Sequence, residues 1–331
     1  MNDFAVSVEG IIRTFGDVRA VDGIDLSIRK GEVYGFLGPN GAGKTTLVRM
    51  LITLLMPTAG RATVAGYDVA SRPGEVRLRI GAALQEAALD AKQTGRELLR
   101  LQGRLYGLSR KEIDRRLVEL LDLVDIGDAI DRLVATYSGG MKRRLDLAAS
   151  LIHNPEILFL DEPTTGLDPI SRARVWNEIR RINRDLGVTI ILTTQYLDEA
   201  DALAGRVAII NHGKVVAEGT PDALKRSIGA DVIIAQVEGD TDTARDTVRD
   251  MQGVENVEAH GNEITISVRE GASYLSAIAV ALNEGGVKVR ELTLRTPTLD
   301  DVFLHYTGAR LQVDAAVDGE GRAEMNEEGS A

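Results

Sequence analysis

The chain has 331 residues, enough for two domains of ordinary size, and carries 50 Asp and Glu against 39 Lys and Arg, a net charge of -11. That balance, without any basic arm or stripe, argues against a nucleic-acid partner gripped through its phosphates. Cysteine is absent and the four His are scattered, which excludes disulfides, thiolate metal sites and zinc-like spacing.

The opening Met1-Asn2-Asp3-Phe4 lacks the basic and apolar regions of a signal peptide, and no run of about 18 apolar residues could span a bilayer. A membrane role would therefore come from a partner. Ala5–Ile12, Val21–Ile28 and Val33–Leu37 are short apolar runs between turn signals and are expected to be strands. After Leu37 comes Gly38-Pro39-Asn40-Gly41-Ala42-Gly43-Lys44-Thr45-Thr46, and from Lys44 to Leu55 apolar residues recur at helical spacing. Strand, glycine-rich loop and helix thus follow in the order of a phosphate loop. Residues 94–126 are expected to form a helical insert, with capping boxes beginning at Thr94 and Ser109. Ser138 to His153 reads as a helix, and Ile157–Leu160 as a buried parallel strand ending at Asp161. A helix opens at Asp168-Pro169 and runs through Leu186, and Val188–Thr193 returns as a strand. This alternation predicts a parallel α/β sheet.

Thr220-Pro221-Asp222 opens a short helix, and beyond Gly229 the pattern changes. Strands at Val232–Val237, Val254–Ala259, Ile264–Val268 and Val287–Leu294 interleave with helices at Thr243–Met251 and Tyr274–Asn283. That order is βαββαβ, a ferredoxin-like split unit. A last helix is expected within Thr298–Tyr306, and residues 309–331, rich in Glu, Gly and Ala, as a disordered acidic tail.

In the phosphate loop the glycines let successive N–H groups face phosphate oxygens, Lys44 reaches the β and γ phosphates, and the Thr45 hydroxyl suits Mg²⁺. Asp161 closes an apolar strand where it can hold the metal through water, and Glu162 can polarise an attacking water. Ser138-Gly139-Gly140, opening a helix, offers a second anion site: a hydroxyl and bare backbone N–H groups.

The order of the phosphate loop, Gln85 after a strand, Ser138-Gly139-Gly140, Phe159-Leu160-Asp161-Glu162-Pro163 and Gly166-Leu167-Asp168 resembles the ATP-binding-cassette (ABC) ATPases. The resemblance implies a P-loop NTPase cassette over residues 4–228, with a parallel core sheet, an antiparallel N-terminal β subdomain and a helical subdomain near residues 86–150. A small α+β unit at 229–308 would follow it. It implies ATP and Mg²⁺ as ligands, Phe15 stacking on adenine, Gln85 sensing Mg²⁺ and the membrane partner, and Asp168 within the nucleotide site. It also implies a head-to-tail dimer in which Ser138-Gly139-Gly140 touches the γ-phosphate held by the other copy. On the residues alone, a packed core aromatic is the alternative for Phe15 and an exposed loop amide the alternative for Gln85.

Two departures from the family pattern stand out. Tyr137 and Met141 flank the Ser-Gly-Gly core in place of Leu and Gln, and Gln195 stands where the family has a switch histidine. Glutamine donates a hydrogen bond but cannot become a cation or shuttle a proton, which leaves water activation to Glu162 and γ-phosphate sensing to the Gln195 amide. With Ile210-Asn211-His212-Gly213-Lys214 and Thr298–Leu304, these departures resemble the daunorubicin and doxorubicin resistance type of ATPase. That type implies a peripheral subunit on the cytoplasmic face of the membrane, driving a separate ABC-2-type permease for drug or lipid export. A soluble cassette ATPase acting on ribosomes or DNA is the rival reading. Against it, there is one cassette, no basic linker, and only 94 positions between Lys44 and Ser138, too few for a long coiled coil.

Overall fold

The computed structural model describes residues 3–84, 89–124, 126–238, 241–269 and 271–308. The proposed tail at 309–331 lies outside them. At the centre is a six-stranded sheet in the order Lys214–Gly219, Arg206–Asn211, Val33–Leu37, Thr189–Thr194, Ile157–Asp161, Ile80–Ala83. All pairs are parallel except the hairpin of Lys214–Gly219 with Arg206–Asn211. Every residue of Ile157–Asp161 and of Thr189–Thr194 is buried. Strands buried along their whole length are what a parallel sheet covered on both faces requires.

One face carries the helices Gly95–Leu105, Arg110–Val124, Gly139–Leu151 and Pro169–Leu186, joined in a core that includes Leu99, Leu117, Leu147, Leu158 and Ile179. The capping boxes read from the sequence are formed. The Glu97 amide donates to Thr94 Oγ1 at 3.2 Å, and the Ser109 amide to Glu112 Oε2 at 2.8 Å. The other face receives the helix Lys44–Leu51 and a four-stranded antiparallel sheet in the order Val18–Arg29, Phe4–Phe15, Ala59–Val64, Tyr67–Asp68. Here the sequence expectation needs one correction. The helix after the phosphate loop stops at Leu51 and does not reach Leu55. Thr53 turns to φ 66°, and Leu54 emerges 61% exposed.

The βαββαβ order is found over Asp231–Arg295. Its sheet runs Val254–His260, Glu263–Val268, Asp231–Glu238, Lys288–Arg295, antiparallel throughout. Helices Thr241–Arg249 and Gly271–Glu284 cover one face through Ala244, Val248, Ile278 and Leu282, which meet Ile233, Ala235, Ile264 and Ile266. The last helix, Leu299–Thr307, does not join that core. Leu299, Val302 and Phe303 pack against Leu37, Ala200, Val207, Ile209 and Leu224 at the edge of the central sheet. A buried phenylalanine truncated to alanine costs about 3–5 kcal/mol. Phe303→Ala is therefore expected to lower the melting temperature by roughly 5–10 °C, and a shift within 1 °C in a thermal melt would contradict this packing.

Candidate functional site at the strand ends

Strand order sets the site. Val33–Leu37 lies beside Thr189–Thr194, which lies beside Ile157–Asp161, so three carboxyl ends emerge together, the usual place for a ligand on an open parallel sheet. The register puts Leu37 level with Thr194, and Asp161 level with Thr193.

From Leu37 the chain enters the glycine loop. A Cβ at Gly38 would stand 2.3 Å from the Ile210 carbonyl oxygen, and one at Gly43, whose φ is 106°, would stand 2.3 Å from that of Ala20. Both positions therefore need glycine. Gly43 caps the helix Lys44–Leu51. Lys44 is buried and its Nζ donates to the carbonyls of Gly38 at 2.7 Å and Pro39 at 3.0 Å, folding back over the loop it follows. Burial lowers its pKa, opposed by the nearby charges of Glu162 and Asp161.

Asp161 is also buried, and its Oδ1 accepts from two hydroxyls, Thr45 Oγ1 at 3.1 Å and Thr193 Oγ1 at 2.5 Å. A carboxylate out of water needs such donors. Glu162 follows in the left-handed region at φ 48°, unusual for a residue with a Cβ and costing about 1–3 kcal/mol. The Glu162 amide donates to Thr193 at both the hydroxyl, 3.0 Å, and the carbonyl, 3.1 Å. Thr165 Oγ1 donates to Glu162 Oε2 at 3.2 Å. Gln195, one residue past the neighbouring strand, is buried with no hydrogen-bond partner for its Oε1.

Other residues singled out in the sequence sit elsewhere. Ser138 caps the helix Gly139–Leu151, its Oγ accepting from the Met141 amide at 3.3 Å. Among the described residues, Ser138, Gly139 and Gly140 make no hydrogen bond to the phosphate loop; a Cβ on Gly140 would meet Ser171 Oγ at 3.3 Å. Asp168 caps the helix Pro169–Leu186, taking the amides of Ile170 and Ser171 at 3.0 and 2.9 Å, and the Ser171 hydroxyl at 2.6 Å. The Ser171 side chain chiefly holds its pKa down. Phe15, at a strand end, is 47% exposed with the Arg13 guanidinium 4.5 Å above its ring. Gln85 lies outside the described residues.

One residue was missed in the sequence reading. Arg143, 8% exposed, donates to the carbonyls of Leu84 at 2.8 Å, Asp161 at 3.2 Å and Pro163 at 3.0 Å. Asp146 stands 3.3 Å away, its pKa pushed by burial up to about 6 against the pull of Arg143. The signal available was spacing: Arg143 shares a helical face with buried Leu147 and Leu151, four and eight residues on.

A family model described as ABC transporter matches residues 21–165, and one described as ATP-binding protein DrrA1-3-like, C-terminal domain, matches 219–307. Daunorubicin resistance ATP-binding protein DrrA3 of Streptomyces coeruleorubidus is 48% identical over 317 residues, 96% of this chain and 100% of that protein. The chain belongs to the ABC transporter ATP-binding proteins. A daunorubicin/doxorubicin resistance ATP-binding protein of Streptomyces peucetius is 46% identical, covering 92% of each chain. Among solved structures, cbiO1 of Clostridium perfringens, part of an ABC transporter complex, overlays with a TM-score of 0.64 at 26% identity, across 76% of this chain and 96% of that one. The ABC cassette binds ATP and hydrolyses it to ADP and phosphate.

Thr193 serves both carboxylate residues, so Thr193→Val should cut the ATP hydrolysis rate roughly tenfold or more while ATP binding changes less than twofold. Equal losses in both, measured by phosphate release and nucleotide titration, would contradict this division.

Proposed function

We propose that this chain is the ATP-hydrolysing subunit of an exporter, working as a pair on the cytoplasmic face of a membrane and driving a separate ABC-2-type permease whose cargo is a hydrophobic drug or lipid. The observation that carries the reading is the meeting of Asp161 and Glu162 with Lys44 and Thr45 at adjacent strand ends. The names of the drug-resistance relatives support the export role. Among the described residues no helix is long and apolar enough to cross a membrane. A partner would then supply the path for the cargo. A cleft of about 330 Å³ between the central sheet and the helical layer, lined by Leu54, Arg77, Leu84, Leu89, Leu98 and Tyr106, supports docking of a permease loop there. Leu105, 71% exposed, adds apolar surface on the same layer.

In this reading Gly38, Pro39, Asn40, Gly41, Ala42 and Gly43 wrap the phosphates. Lys44 moves from its two carbonyls to the β and γ phosphates, and Thr46 follows Thr45 in the first turn of the helix. Phe15, about half exposed, stacks on adenine. The donor set of Thr45 Oγ1 and Asp161 Oδ1, 3.1 Å apart and all oxygen, fits Mg²⁺. Among the described residues no group of three or more His, Asp or Glu converges, in keeping with an ion that takes most of its shell from phosphate and water. When bound, Mg²⁺ neutralises charge on the β and γ phosphates. Thr45 and Asp161 would hold it directly and through water, with Gln85 as a further ligand. Glu162 accepts the proton of the attacking water. The Gln195 amide donates to the γ-phosphate and orients it without exchanging a proton.

Ser138, Gly139 and Gly140 begin the helix Gly139–Leu151, and the amides of its first turn support their use on the γ-phosphate held by a second copy, beside its Asp168. Two copies in head-to-tail contact complete both sites, so hydrolysis per chain should rise with protein concentration. Glu162→Gln is expected to slow hydrolysis by about 100-fold or more while ATP still binds. A wild-type rate of phosphate release would remove Glu162 from the chemistry.

A further inference from the structure

The geometry points to Arg143 as the positioning residue for Glu162: its guanidinium holds the peptide carbonyls on either side of Glu162 and locks that residue into its left-handed backbone conformation. The inference rests on the reading of Glu162 given above and adds the group that aims it.

A residue with a Cβ does not stay at φ 48° unless the surroundings impose it. Here the constraint comes from two sides. Thr193 takes the Glu162 amide with its hydroxyl and carbonyl. Opposite, Arg143 Nη2 donates to the Asp161 carbonyl at 3.2 Å and Nε to the Pro163 carbonyl at 3.0 Å, so the residues before and after Glu162 are fixed by one rigid fork. The next residue, Thr164, is fully buried and donates through Oγ1 to Glu199 at 2.7 Å, anchoring the turn further. Between these clamps the half-buried Glu162 carboxylate accepts from the Thr165 hydroxyl at 3.2 Å.

The fork is itself immobilised. Asp146 lies 3.3 Å from Nη1, one turn along the same helix, and that same Nη1 donates to the Leu84 carbonyl at 2.8 Å. Arg143 rides on the helix Gly139–Leu151, the one that Ser138 caps. A shift of this helix therefore reaches the Glu162 peptide through the Arg143 side chain alone, by the hydrogen bonds of 3.0 and 3.2 Å to Pro163 and Asp161. Lysine in place of arginine keeps the charge but offers a single point of donation that cannot span three carbonyls on two segments.

The test uses the full chain with three variants: Arg143→Lys, Glu162→Gln and the double variant. Arg143→Lys should hydrolyse ATP roughly 10- to 100-fold more slowly, with nucleotide affinity changed less than twofold and a melting temperature within about 4 °C of wild type. Added to Glu162→Gln it should slow the residual rate by less than twofold, because a positioning residue has nothing left to position. A further tenfold loss in the double variant, or an Arg143→Lys chain that does not fold, would assign Arg143 to the framework and overturn the inference. So would an unchanged rate in Arg143→Lys when Glu162→Gln is slow. A wild-type rate in Glu162→Gln would instead defeat the underlying assignment of Glu162.

Discussion

The site depends on one buried carboxylate oxygen. Asp161 Oδ1 accepts hydroxyls from Thr45, at the start of the helix after the glycine loop, and from Thr193, on the adjacent strand. These segments are 116 and 32 residues away in sequence. They meet because parallel strands ending at Leu37, Asp161 and Thr194 are neighbours in one sheet. A carboxylate with 2% exposure cannot be left without donors, so satisfying Asp161 also fixes where the phosphate loop, the strand end and the loop of Gln195 stand relative to one another.

Around this point the chain accepts local cost for geometry. Glu162 sits in a backbone region that disfavours it, and Lys44 and Arg143 are cations held out of water. The two cations are offset by backbone carbonyls: Gly38 and Pro39 for Lys44, and Leu84, Asp161 and Pro163 for Arg143. Carbonyls suit this task because they are already placed by strands and turns and lose no rotamer freedom on accepting. The two cations differ in consequence. Lys44 is tied to its own loop and can be redirected by an anion, whereas Arg143 bridges Leu84 to the turn at Asp161 and Pro163 and cannot leave without releasing both segments.

How much of this was legible in the sequence follows from the range of each interaction. The phosphate loop was legible because glycine positions and the following Lys44-Thr45 are contiguous and demanded by local sterics. The βαββαβ unit at Asp231–Arg295 was legible because alternation of period two and helical spacing is also local. The Leu299–Thr307 helix was legible as a helix within Thr298–Tyr306, but its docking on Leu37, Val207 and Ile209 was not, since those partners lie far away in the chain. Leu54 misled because it kept helical spacing after the helix had ended at Leu51. Arg143 stayed hidden for the strongest reason: its partners are carbonyl oxygens, which every residue carries and no sequence pattern marks.

In the proposed head-to-tail pair the phosphate loop of one copy is completed by Ser138-Gly139-Gly140 of another. The absence of cysteine from the chain makes that claim directly measurable, because any disulfide must come from introduced residues. Two chains are mixed, one carrying Asn40→Cys and the other Ser138→Cys, both with Glu162→Gln to retain ATP. Oxidation should give a cross-linked heterodimer that forms with ATP and not without it. No cross-link in the presence of ATP, or a bond formed within a single chain when both cysteines are placed together, would contradict the composite site.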